Sequence, residues 1–326
     1  MKVAFDVSPL AQTGAGTARV IHGLTGALEG RPELEILPVD FDFDFDGHGR
    51  AATVARDLAW YPFGIAREAR SADVLHCTTM RGPLRAHLPV VITVHDCALL
   101  RHPGAFPPWH RHTGRVALRH GVKSADAIVA VSAFTRDELI ELLDVPAERI
   151  HVVPNGLEPI FTEAGPKAAG DYVLAVGTLE PRKNLANAVE AAKRAGVELR
   201  VVGAPGWGGV AVPGWAGRVD DEELAALYRG ARCLVFPSLY EGFGLPVIEA
   251  MTCGTPVVTS RGGATEEVAG GAAVLVDALD PDAIAAGIAE AEARRDELRR
   301  LGLERAGAFT WSHAADLVEA LWRELA

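Results

Sequence analysis

The sequence predicts an α/β protein built from two parallel-sheet domains of similar size. Three observations carry that prediction. Short β-branched runs, apolar almost without interruption, alternate with helical patterns, as expected of strands buried on both faces of a parallel sheet. A Gly- and Pro-rich stretch without clear period, NGLEPIFTEAGPKAAGD at 155–171, separates two such series and reads as a linker. The 326 residues are enough for two cores.

The elements follow in order. KVAFDV opens the first series, and a helical pattern runs from Gly16 to Leu28. LEILPV, DVLHC, VVITVH, AIVAVS and RIHVVP then read as strands, with amphipathic helices between several of them. After the linker come YVLAVG, a helix from Asn184, VELRVVG and a helix from Asp221. CLVFP, a helix from about Leu245, PVVTS and AAVLV complete the second series. From Pro281 onward the pattern is helical throughout, and in the terminal helix Trp311, Leu317, Leu321 and Trp322 read as packing residues. The expected domains are 1–157 and 158–310, followed by a terminal helix at 311–326.

Bulk properties narrow the function. A net charge of −11 argues against general nucleic-acid binding, and no nucleic-acid partner is expected. MKVAFDVSPL lacks the charged and apolar regions of a signal peptide, and no run reaches the ~18 apolar residues of a membrane span. Cys77, Cys97, Cys233 and Cys253 form no CxxC and read as reduced structural thiols, so the expected location is the cytoplasm.

In open parallel sheets, ligands bind beyond the carboxyl ends of the strands. SLYEGFGLPVIEAMTCGTPVV, residues 238–258, is such a place. Its glycines let backbone amides approach a ligand, and the helix start at Leu245, with Pro246 in its first turn, favours an anion. Glu249 lies about one turn into that helix and leans back to the same mouth as Glu241. Two carboxylates beside a phosphate site suit sugar hydroxyls: ribose for Glu249, a second sugar for Glu241. A helix-dipole partner and a solvated loop residue would use the same two glutamates. VGTLEPRKNL, 176–185, follows another strand. Asn184 is placed to cap the next helix, and Arg182 and Lys183 stand just before it, which beside the glutamate pair reads as a diphosphate site and without it would read as a solvated basic turn.

The E-x7-E of SLYEGFGLPVIEAMTCGTPVV, with LEPRKNL upstream and VVPNGLE at the linker, resembles family 4 of the retaining glycosyltransferases, nearest to its mannosyltransferase-like bacterial group. The resemblance covers nearly the whole chain and is looser in the N-terminal half. It implies the GT-B fold: two Rossmann-like domains facing across a cleft, with the last helix crossing back to the first domain. It also implies that Arg182 and Lys183 bind the donor diphosphate, Glu249 the ribose and Glu241 the donor sugar, and that amides near Phe243, Gly244 and Leu245 help. Gly14 and Gly16, in QTGAGTARV, resemble the glycine loop that closes over the donor. His95 and Asp96 match an HD pair whose histidine lies near the reacting sugar; a polar strand end would look the same.

Three stretches compete with this reading. Gly14-x-Gly16 suggests NAD, but Arg19 holds the third glycine position and the loop after Val7 is too long for a dinucleotide turn. FDFDFDG, 41–47, begins like a calcium loop, yet Thr53 stands where the bidentate glutamate belongs, so no metal is expected. RHPGAFPPWHRHTGRVALRHGVK, 101–123, is basic and carries no acid; it reads either as a contact for an anionic acceptor or the inner membrane face, or as a solvated helix. The segment APGWGGVAVPGWAGRV, ending at Val219, is expected to hold the nucleobase, uridine or guanosine.

The resulting expectation is metal-independent transfer of a hexose, mannose by the HD pair alone, to an acceptor hydroxyl. The donor is a GDP- or UDP-sugar, with no cofactor, and the acceptor is a glycan, lipid-linked or small molecule. The alternatives are another GT-B enzyme, such as a nucleotide-sugar epimerase or phosphorylase, and a non-catalytic sugar-nucleotide-binding protein.

Overall fold

The computed structural model describes residues 1–11, 16–41, 55–207, 209 and 212–326. The chain divides into two compact units: Met1–Gly156 with Thr310–Ala326, and Leu157–Phe309.

Unit 1 is a six-stranded parallel sheet of order β2-β1-β3-β4-β5-β6. Its strands are β1 Lys2–Asp6, β2 Glu35–Val39, β3 Val74–Cys77, β4 Val90–Val94, β5 Ala127–Ala130 and β6 Ile150–Val152. Every residue of β3, β4 and β5 is buried, which explains their apolar sequence, broken only by His76 and Thr93, which bond to each other. Only the edge strand β2 carries a proline, Pro38, because an edge has a face that needs no ladder donor.

Among the described residues, helices α1 Gly16–Leu28, α2 Pro108–Ser124 and α3 Ala133–Leu143 flank the sheet, together with a π-helical stretch, Arg56–Gly64, that runs on into a short helical turn, Ile65–Glu68. α1 buries Val20, Ile21, Leu24 and Leu28, one helical stripe. A last helix, Trp311–Leu325, is called α10 below. Thr310 caps it by accepting from the His313 amide, and its buried Trp311, Ala315, Val318 and Trp322 join Val3, Phe5, Leu24 and Val91 in one core. Gly23 and Gly156 make room for Trp311: a Cβ on either would overlap its indole ring. Beneath α10, His76 sits edge-on to Phe5 and Trp322, with Nε2 bonded to Thr93 Oγ1 at 2.8 Å. Burial pushes its pKa down to about 3.

Unit 2 is a five-stranded parallel sheet of order β11-β10-β9-β7-β8. The strands are β7 Tyr172–Val176, β8 Glu198–Val202, β9 Leu234–Phe236, β10 Val257–Ser260 and β11 Val274–Val276. The helices are α4 Leu185–Ala195, α5 Asp221–Gly230, α6 Leu245–Thr252, α7 Gly263–Ala269, α8 Pro281–Ala293 and α9 Arg295–Ala306. Val173, Val235 and Val258 of the sheet pack with Ala188, Ala191, Ile284 and Ile288.

The tail is not one helix. It breaks at Arg294 and again at Gly307–Phe309, where the chain passes into unit 1, so α8, α9 and α10 are separate. No helix among the described residues is long and apolar enough to cross a membrane.

Candidate functional site

In unit 2 the loops after β7 and β9 are tied to each other. The Leu239 amide donates to the Arg182 carbonyl at 2.8 Å. Asn184 does not cap α4 with its side chain. Its backbone is left-handed, at φ 56°, and its Nδ2 donates to the carbonyls of Pro237 and Ala278 at 3.0 and 2.6 Å. The side chain that would have capped the helix instead links three loops. Arg182 and Lys183 lie in a single 3-10 turn, Pro181–Lys183.

These ties bring Arg182, Lys183 and Glu241 together. Lys183 Nζ stands 2.6 Å from Glu241 Oε1, and Arg182 Nη1 3.3 Å from Oε2. Arg182 also donates to the Tyr240 carbonyl at 2.9 Å and, through Nη2, to Glu180 Oε1 at 2.7 Å. Burial pushes the Glu241 carboxyl up, but the charges of Lys183 and Arg182 outweigh it and hold the group below the usual carboxylate range. The quartet of two cations and two carboxylates is charge-balanced as it stands. Glu180, only 3% exposed, was missed by sequence reasoning. The signal was present: a carboxylate two residues before a pair of cations, at a strand end.

Gly244 begins the next turn. Its φ of 107° is strained for any side chain, and a Cβ there would meet Thr265 Cγ2 at 3.1 Å. α6 starts at Leu245 with Pro246, which has no N–H, in its first turn; the Val247 amide donates to the Gly244 carbonyl at 2.9 Å, and the positive end of the helix dipole lies at this mouth. Phe243 is buried edge-on against Phe309, ring centroids 5.6 Å apart. Glu249 lies on the same helix but is 2% exposed, its Oε2 accepting from the Tyr228 hydroxyl at 2.8 Å. Tyr228 is a second residue that sequence reasoning missed, because it comes from α5, 21 positions earlier.

Val219 lies elsewhere on the same unit. It lines a groove of about 710 Å³ with Glu158, Ile160, Arg218 and Asp221. The segment before it folds back on β8: Trp215 Nε1 donates to the Gly203 carbonyl at 2.9 Å, and the Gly203 amide to Gly217 at 2.8 Å.

Unit 1 holds the other expected residues. Gly16 is the first residue of α1, while Gly14 lies outside the described residues, as does nearly all of the FDFDFDG loop. His95 follows β4, and its Nε2 donates to the Thr78 carbonyl at 2.9 Å. A carbonyl can only accept, so Nε2 carries the proton and Nδ1 is the bare nitrogen. Burial lowers the His95 pKa and keeps the ring neutral. The Asp96 side chain accepts from the Ala98 amide at 3.0 Å. At the end of β1, Asp6 accepts from the Ser8 amide at 3.0 Å and the Tyr61 hydroxyl at 3.1 Å, and burial raises its pKa to about 6. Of the basic stretch, Arg119 on α2 is exposed, whereas Arg111 and Arg115 are half-buried.

Comparison with known proteins adds to this geometry. Residues 16–160 match the family model described as Glycosyltransferase Family 4, and residues 213–305 the one described as Glycosyl transferases group 1. An O-antigen chain mannosyltransferase B of Escherichia coli is 33% identical over 255 residues, 68% of this chain and 67% of that one. Among solved structures, sucrose-phosphate synthase from Thermosynechococcus elongatus has a TM-score of 0.76 at 19% identity, covering 100% of this chain and 99% of that one. Anabaena Alr3699/HepE in complex with UDP-glucose has a TM-score of 0.72 at 17% identity, covering 98% and 99%. These two likenesses show the fold.

Proposed function

The chain belongs to the family 4 glycosyltransferases, and on that premise we propose that it moves a hexose from a nucleoside diphosphate sugar to an acceptor hydroxyl, with anomeric retention and without a metal ion. The observation that carries the reading is Arg182 and Lys183 gathered on Glu241 beside the N-terminus of α6.

As the glycosidic C–O bond breaks, negative charge grows on the departing diphosphate. In this reading Arg182, Lys183 and the N-terminus of α6 stabilise it, an electrostatic arrangement in place before the reaction begins. Glu241 takes hydroxyls of the donor sugar, and Glu249, steadied by Tyr228, takes the ribose. Phe243, Gly244 and Leu245 shape the turn that presents backbone amides. The segment ending at Val219 receives the nucleobase. By their motifs, Gly14 and Gly16 are assigned to the donor and His95 to the reacting sugar. Mannose is the first sugar to test. The Escherichia coli relative is named for mannosyl transfer and the Anabaena structure holds UDP-glucose, so both GDP- and UDP-sugars belong in the screen.

The acceptor is a glycan, a lipid-linked molecule or a small molecule. The basic stretch 101–123 is assigned peripheral contact with an anionic membrane. Phe63, Leu84 and Val116 support this: they are 64%, 47% and 57% exposed. Anionic vesicles should bind the protein, and charge reversal at Arg111, Arg115 and Arg119 should abolish that binding; unchanged affinity would remove the membrane from the proposal.

The reading is tested by thermal shift in EDTA with UDP, GDP, ADP, NAD and their sugar conjugates. A ligand at a hundred times its dissociation constant adds ~2.7 kcal/mol of stability. Stabilisation by one nucleoside diphosphate and its sugar supports the site and identifies the donor. Response to NAD alone, or a strict metal requirement, would overturn it.

A further inference from the structure

We propose that unit 2 carries a second anion site, at the sheet edge opposite Arg182 and Lys183, that binds a phosphate group. A cavity of about 280 Å³ is lined there by Lys167, Arg229, Arg295 and Arg299, with Glu163 and Asp296. Its position follows from topology. Lys167 and Glu163 lie in the segment entering β7, and Arg229 ends α5 just before β9. The cavity therefore sits at the amino ends of the strands, whereas the loops of Arg182 and Glu241 leave the carboxyl ends.

The charge is unbalanced. Four cations face two carboxylates, in a chain whose net charge is −11. One of those carboxylates, Glu163, is already taken by Arg299. Arg229 is 7% exposed, and it is held by carbonyls: Nε donates to Pro166 at 2.6 Å and Nη1 to Thr162 at 3.1 Å. Arg295 is held in the same way, with Nη1 donating to the Arg232 carbonyl at 2.8 Å. Carbonyls orient a guanidinium but do not cancel its charge. A buried cation without counter-charge is unfavourable, and an arriving dianion relieves it while finding donors already positioned. α9 opens at the same place, at Arg295, without a side-chain cap, and its dipole adds to the attraction.

The volume suits a phosphate with at most a small ester substituent. The source is either inorganic phosphate or a hexose phosphate. Calorimetric titration of the full chain in chloride buffer with inorganic phosphate, and separately with hexose 6-phosphate, decides between them. Saturable binding is expected. Lys167 is exposed and outside every ion pair among the described residues, so Lys167→Glu should leave the melting temperature unchanged and weaken binding about tenfold. Asp296→Asn should tighten it, a gain that misfolding cannot imitate. Lys183→Ala should leave it unchanged. Tighter binding of the ester assigns the site to a sugar phosphate; equal binding assigns it to the free ion. Absence of saturable binding by both would overturn the site. So would binding that is lost in Lys183→Ala and kept in Lys167→Glu, since the anion would then occupy the other edge.

Discussion

Two carboxylates at strand ends, Asp6 closing β1 and Glu241 in the loop after β9, are treated in opposite ways. Both are shielded from water. Glu241 has Lys183 and Arg182 within 3.3 Å and is held charged, below the usual range. Asp6 is bonded by an amide and a phenol, neither of them charged, and burial raises it to about 6. Burial alone therefore does not set the state of a carboxylate. The neighbours do, and here they give unit 2 a charged mouth and unit 1 one that can titrate near neutrality.

The largest test breaks the charged side. Arg182→Ala should lower turnover about a hundredfold, the ~3 kcal/mol typical of losing one donor to developing charge. It also strands Glu180, 3% exposed, and should lower stability by about 1–3 kcal/mol. Glu180→Gln in the same background should restore the melting temperature but not the rate. Near-full turnover of Arg182→Ala would remove this residue from the chemistry.

A similar energy is at stake in unit 1, read as stability against pH. The Asp6 pKa is raised on folding, so its protonated form stabilises below pH 3.8 and that contribution is lost as pH rises through about 6. His76 runs the other way. Its pKa is lowered to about 3, so stability is full above 6.5 and falls as pH drops toward 3. Between pH 4 and 6 the two slopes oppose each other. Asp6→Asn removes one of them. Relative to the parent, it should gain roughly 3 kcal/mol between pH 4 and 7, at ~1.4 kcal/mol per pKa unit. Denaturant titrations at several pH values measure the difference; a pH-independent offset would mean that Asp6 is ionised in the fold throughout.

A smaller effect is expected where α10 joins unit 1. Gly23→Ala places a methyl inside the Trp311 ring and should destabilise by about 1–3 kcal/mol, as overpacking does. Trp311→Leu in the same background should recover part of that loss. An unchanged melting temperature in Gly23→Ala would show that α10 docks more loosely than this packing implies.

Legibility in the sequence follows the same division. The sheets were readable because fully buried parallel strands leave nearly unbroken apolar runs, such as VVITV in β4. The break at Arg294 was not, because helical composition continues across it. In the candidate site, Arg182, Lys183, Glu241 and Glu249 stood in two quotable motifs. Tyr228 did not stand out, since it acts through one hydrogen bond from another helix, whereas Glu180 stood in plain view two residues before Arg182, its partner. Asn184 misled for a related reason: local capping chemistry lost to two carbonyls 53 and 94 positions away.

The finest test asks what the charged pairing is for. In the proposed reading a diphosphate meets Lys183, yet Glu241 already holds that ammonium at 2.6 Å. Binding therefore has to break an ion pair before it makes one, and the carboxylate competes with the ligand. Glu241→Gln removes the competitor and keeps the shape. It should bind a bare nucleoside diphosphate about tenfold more tightly, ~1.4 kcal/mol. The nucleoside diphosphate sugar should gain less, because the amide is a poorer acceptor for the sugar hydroxyls that the released carboxylate takes. The two affinities, measured by calorimetry, should then converge or reverse. Weaker binding of both would mean that Glu241 orients Lys183 for the diphosphate, and the charge-balanced quartet would be a scaffold and not a gate.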